Sequence, residues 1–217
     1  MSDNLHRASR EQNFVRLLFV LDRAGVVPAA TSPEGAYRQM RGQTRLQALD
    51  FWMRNPDYLA DELISDYEAD PSRTWALDAA RGILGSREPA IRRLPMLKWR
   101  FGAWEPLDDT LAIMTSRRLV THRPDAGQQR VREHLYWLMD AGHDITEQLL
   151  AGDTGVFGWY ADRADLVARI AGDTGGEALK HRQYEHPEYK ATNPMKPIRS
   201  IEGRVRDRLE ALEAAAA

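Results

Sequence analysis

Histidines, carboxylates, hydroxyls and glycine runs are where this sequence could do chemistry. Six histidines occur: His6, His122, His134, His143, His181 and His186. None falls into HExxH or another tight ligand spacing, and His181 and His186, five apart, share no helical face. No metal site is therefore expected. No serine stands in a GxSxG elbow. Cysteine is absent, which removes disulfides, thiolate nucleophiles and Cys-ligated zinc or iron–sulfur sites. The adjacent carboxylates Asp61-Glu62 and Asp108-Asp109 diverge on a helix instead of converging on one proton, so solvated faces are expected for both. Gly152-Asp153-Thr154-Gly155 and Gly172-Asp173-Thr174-Gly175-Gly176 could hold an anion at a helix start. Neither ends in Lys-Ser/Thr, and both read as helix-ending loops. Trp99, Phe101 and Trp104, interleaved with Lys98 and Arg100, have the make-up of a single-strand stacking platform; core packing is the plainer reading. No catalytic constellation and no cofactor follow, so the chain is read as a non-enzyme.

What remains is charge. The net value is −2 over 217 residues, which gives no bulk electrostatic argument for nucleic acid. The distribution is uneven. Residues 87–132 hold ten Lys/Arg against five acids, and residues 50–81 hold eight acids against three Arg. Within the basic block, Arg117, Arg118, His122, Arg123, Arg130 and Arg132 flank one predicted turn. Together with Arg92 and Arg93 they are the candidate DNA- or partner-binding residues. The competing reading is that the basic and acidic blocks pack against each other or against a partner.

The elements that must position these residues are mainly helical. Ser9 and Gln12 form a capping box ahead of Phe14, Leu17, Leu18 and Leu21. Ser32-Pro33-Glu34 reads as a second helix start, ended by Gly42. Helices follow over Leu46–Met53, after Asn55-Pro56-Asp57, and after Asp70-Pro71 to Gly85. The stretch Met96–Trp104 suits a short strand beside the turn or an extended lead. A helix from Leu107 precedes Leu119-Val120-Thr121-His122-Arg123. Pro124-Asp125-Ala126-Gly127 is a turn signal, and Arg130–Leu138 is a second extended run. More helices follow, over about Gly142–Leu150, Phe157–Ile170, near Leu179 and Tyr184, and after Ser200. That makes about nine helices and one hairpin, in regions 1–86, 87–151 and 152–217, the last read as one compact unit with 1–151. No run approaches the length needed to span a bilayer, and the N-terminus lacks a signal-peptide core. A cytoplasmic protein is expected.

Helix, strand, turn, strand, helix over Leu107–Ala151 resembles a winged-helix domain. The matching residues are Leu111, Met114, Leu119 and Val120 before the hairpin, then Tyr136, Leu138, Met139, Gly142 and Leu149. Met139 stands where a helix-capping Thr is usual, and Thr146 where a small residue is usual. The resemblance implies a helix presented to a groove and a wing near phosphate. Two features argue against base reading. Asp108-Asp109 at the helix start repel phosphate, and Thr110, Thr115 and Ser116 are poor base readers. Such domains usually act in pairs, which points to a homodimer through the terminal helices.

At longer range the chain resembles middle components of bacterial ABC-three-component conflict systems. The matching pieces are Leu17–Gly25, Leu46–Pro56, Arg100–Trp104, and Arg163-Ala164 through Gly176–Lys180, ending in Tyr184 and Pro187-Glu188-Tyr189. That likeness implies a small helical adaptor of a defence system, holding together a large ATPase and an effector, with no catalytic residue. The expectation is a non-catalytic adaptor or regulatory protein; the alternative is a DNA-binding transcriptional regulator.

Overall fold

The computed structural model describes residues 8–99, 102–126, 131–152 and 155–216. Ser9 caps α1 (Arg10–Ala24): its hydroxyl accepts from the Gln12 N–H, and its own N–H donates to the Gln12 side chain at 2.8 Å. This is the expected capping box. Leu17 to Leu21 are at most 1% exposed, so α1 is wrapped on every side and threads the core.

The next segment departs from the sequence reading. Ser32-Pro33-Glu34 leads into no helix. Gly35 takes φ 75°, which glycine adopts without penalty, and the chain enters β1 (Ala36–Arg41). This strand pairs antiparallel with one about a hundred residues later. The local helix signal loses to a distant partner that no short window contains.

α2 (Gln43–Arg54) and α3 (Pro56–Ala69) meet at Asn55, and α4 (Thr74–Gly85) follows Asp70-Pro71, as those helix-start signals require. A single turn, α5 (Glu88–Ile91), precedes β2 (Leu97–Trp99) and β3 (Gly102–Trp104). These two strands form a small sheet of their own and do not join the main hairpin. α6 (Asp108–Ser116), β4 (Val120–Ala126), β5 (Val131–Met139) and α7 (Asp140–Ala151) then follow in the expected order. α8 (Val156–Ala171), α9 (Gly176–Glu185), α10 (Pro187–Ala191) and α11 (Glu202–Ala216) complete the described chain. The protein is mainly helical with one three-stranded antiparallel sheet, ordered β1-β5-β4. A boundary at residue 86 would cut this sheet, because β1 lies before it and β4 and β5 after it.

Two details explain the joints around the hairpin. Pro124 and Asp125 still pair with His134 and Glu133, so the turn comes later than Pro124 suggests; Gly127 lies outside the described residues. Proline is tolerated there because β4 is an edge strand. α7 packs so closely that a Cβ on Gly142 would meet the Leu119 carbonyl oxygen at 2.4 Å and Leu138 Cδ1 at 2.5 Å. Met139, at the N-cap of α7, makes no side-chain cap, as expected where Thr is missing. Among the described residues, no helix is long and apolar enough to cross a membrane.

Candidate functional site

Strand alternation sorts the hairpin into two faces. Val120, His122 and Pro124 stand opposite Leu138, Tyr136 and His134, and Met40 of β1 joins Tyr136 on the same face. Val120 and Leu138 are fully buried, so this face is the one that meets the core. Toward the hairpin's free end, His122 stacks with Tyr136 at 6.0 Å between ring centroids. Its Nδ1 lies 3.5 Å from Thr115 Oγ1 of α6. Burial, then the nearby Asp108 charge, pushes the Tyr136 hydroxyl up to about 12, so it stays neutral. The other face carries Arg123, whose guanidinium sits 5.0 Å over the Trp137 ring. Arg41 donates to Asp125 and Glu133 there, each at 3.1 Å. Arg41 clamps the two strands and was not a sequence candidate. Its partners are 84 and 92 residues away, so no local signal marks it.

α6 is joined to β4 by a tight cap. The Arg118 N–H reaches the Thr115 carbonyl and the Leu119 N–H reaches the Met114 carbonyl. That is the Schellman pattern, with Arg118 at φ 58° where glycine is usual. Arg117 and Arg118 are both exposed. Asp109, Ala112, Ile113 and Ser116 recur at helical spacing and are all exposed, with Ile113 at 42%. The outward stripe of α6 thus runs from acid through isoleucine to arginine.

Arg117 and Arg118 close α6, and His122 and Arg123 follow on opposite faces of β4. Arg132 lies in β5, and Arg130 falls outside the described residues. Arg92 and Arg93 are engaged elsewhere: Arg92 lies 4.7 Å over Trp159 of α8, and Arg93 donates to the Ile198 carbonyl at 2.5 Å. Both are half-buried.

The basic and acidic blocks largely do not neutralise each other. The acids of α3 find cations of α9 and α11 instead. Asp61 accepts from Arg208 at 2.5 Å and pairs with Arg204 at 3.1 Å. Glu62 accepts from Arg182 at 2.5 Å, Glu68 from Arg208 at 2.6 Å, and Glu188 from Arg204 at 2.8 Å. Asp61 and Glu62 are 3% and 5% exposed, which overturns the solvated face expected for them. Both converge on His186, at 3.2 and 3.4 Å from its two ring nitrogens. Burial alone would lower this imidazole, but the two carboxylates outweigh it and hold it near 9. Asp61 is pushed up by burial and pulled back to about 2 by His186 and the arginines. Four carboxylates thus face three guanidiniums and one imidazolium.

Of the other candidates, Lys98 and the loop before α9 resolve as structure. Lys98 is 8% exposed and donates to the Lys190 carbonyl at 2.8 Å, so it cannot reach a phosphate. Trp99 and Trp104 lie 6.0 Å apart; Arg100 and Phe101 are outside the described residues. The loop before α9 turns carbonyls, not amides, outward to Arg45, which takes those of Gly172 and Thr174. Among the described residues no group of His and acids has the arrangement of a metal site. The apolar stripes of α1 and α11 are used within the chain: Leu17, Leu18 and Val205 are fully buried. The chain matches no protein-family model, no curated protein and no solved structure.

Proposed function

We propose that the chain is a non-catalytic, cytoplasmic binding protein. In this reading α6, the β4–β5 hairpin and α7 form a winged-helix unit that docks a protein partner, as an adaptor or regulator within a bacterial multicomponent assembly. The observation that carries it is the outward stripe of α6. A phosphate backbone is repelled by Asp108 and Asp109, gains nothing from Ile113 and is attracted only by the arginines at the far end. A protein surface can use all three, because interfaces combine an apolar centre with a charged rim. The resemblance to middle components of ABC-three-component defence systems supplies a partner class, a large ATPase. A second reading, transcriptional regulation through DNA, is favoured by Arg117, Arg118 and Arg123, which have no carboxylate partner among the described residues.

Duplex-DNA affinity measured against salt separates the two. The docking reading expects weak binding with a shallow slope. A steep fall with salt, made shallower by Arg117→Ala or Arg123→Ala, would replace it with the DNA reading. In parallel, the chain is co-expressed with the proteins encoded beside its gene. The docking reading expects a defined complex that Ile113→Arg abolishes while leaving the fold intact. A complex indifferent to Ile113→Arg would rule out this face.

A further inference from the structure

The described arginines mostly have hydrogen-bond or ion-pair partners, but several buried donors are left over, and at one interior corner two of them belong to residues that line a cavity. A cavity of about 80 Å³ lies between α1, α8 and the segment after α5, lined in part by Arg16, Arg92, Trp159 and Tyr160. That is several times the space one water needs. Arg16 is 1% exposed. Its Nε donates to Asp50 and its Nη2 to Asn13 at 2.6 Å, yet its Nη1 has no partner. The indole Nε1 of Trp159 is also buried without one. Arg92 completes the set, with its guanidinium held over the Trp159 ring and no carboxylate partner among the described residues.

No carboxylate lines the cavity. The nearby acids are already occupied. Asp50 is held by Arg16 and lies 3.7 Å from Arg54, and both oxygens of Glu88 accept from Arg163, at 2.6 and 2.7 Å. Buried donors are ordinarily paired, and each orphan needs an explanation. Water could satisfy an indole N–H or one guanidinium nitrogen, and half-buried Arg92 is partly hydrated, but a water brings no counter-charge to it. An oxyanion does both, since guanidinium forks match phosphate oxygens in geometry as well as sign.

We infer that this cavity binds a phosphate group, held by Arg16 Nη1, Arg92 and Trp159 Nε1. The exposed Gln12 stands at the rim, so a monoester could leave its substituent on that side. The site is remote in kind from the α6 face and does not rest on the docking proposal.

The test titrates the full chain with inorganic phosphate at constant ionic strength set by chloride, following Tm and tryptophan fluorescence, with Trp159→Phe as the fluorescence blank. The expected result is a saturable rise in Tm that chloride does not give. Arg92→Gln should weaken it about tenfold or more, and Arg92→Lys should recover part of the loss. Arg16 is left intact because it also holds Asp50. Methyl phosphate in a second arm separates the sources. Binding comparable to phosphate means the terminal group of a larger ligand fits; binding of phosphate alone means a free anion. Absence of a saturable phosphate response, or an equal response in the wild type and a folded Arg92→Gln, would overturn the site.

Discussion

Between α3, α9, α10 and α11, the arginines meet carboxylates within hydrogen-bonding distance: Arg182 with Glu62, Arg204 with Asp61 and Glu188, Arg208 with Asp61 and Glu68. At the end of α6, Arg117 and Arg118 have none among the described residues. The same side chain does different work in the two places. In the first it is part-buried and fixed by buried carboxylates, and removing one of these leaves the cations short of a partner. In the second it stays hydrated, adds little to stability and remains available to something outside the chain. A run of basic residues in a sequence does not distinguish these cases; the distant partner does.

The sharpest way to break this contrast is Asp61→Ala. It should cost about 1.5–3 kcal/mol in urea unfolding, since His186 and two part-exposed arginines lose their shared partner. A loss no larger than that of a surface substitution would mean the network is only decorative. The pH dependence comes next. His186 is held near 9 against an ordinary 6.5. Its contribution is therefore complete below about pH 6.5 and is lost as pH rises through 9, on the order of 3 kcal/mol at most. Asp61, held near 2 against 3.8, works in the opposite sense, stabilising above about pH 4 and failing as pH falls through 2. The urea midpoint should decline from neutral pH toward pH 10, and His186→Gln should flatten that decline.

On the other region, Gly142→Ala should cost about 1–3 kcal/mol, because its Cβ has no space against the Leu119 carbonyl. The smallest effects belong to the arginines. Arg118→Gly relieves a left-handed residue and should raise stability by up to about 1 kcal/mol, and Arg117→Ala should stay within about 0.5 kcal/mol. Both should nonetheless weaken whatever binds the α6 face. A large destabilisation from either would show that these arginines are structural after all.

Much of the hairpin was legible because its signals are local. Pro124, the β-branched run before it and the apolar alternation after it all lie within one window, as do Ser9 and Gln12 for α1. Features that need a distant partner were not legible. Ser32-Pro33 carries a genuine helix-start signal, yet β1 exists because β5 offers a ladder. Asp61-Glu62 looked like a solvated pair because the residues that bury it, His186, Arg204 and Arg208, come more than a hundred positions later. The charge of Arg92 was visible, but its seat on Trp159 was not. Ile113 could be read as lying beside the buried stripe of its helix, but not as the centre of an outward one.

The pairing of β1 with β5 also sets an order of events during synthesis. β1 leaves the ribosome about a hundred residues before the strand that completes it, and loops of that span close slowly. Until β5 is made, β1 has an open edge and Trp137 is not there to cover Gln39, its partner in register. The α6 face is therefore finished only when most of the chain has been translated. A truncated product would offer a partner an incomplete surface with a strand edge prone to pair with other chains.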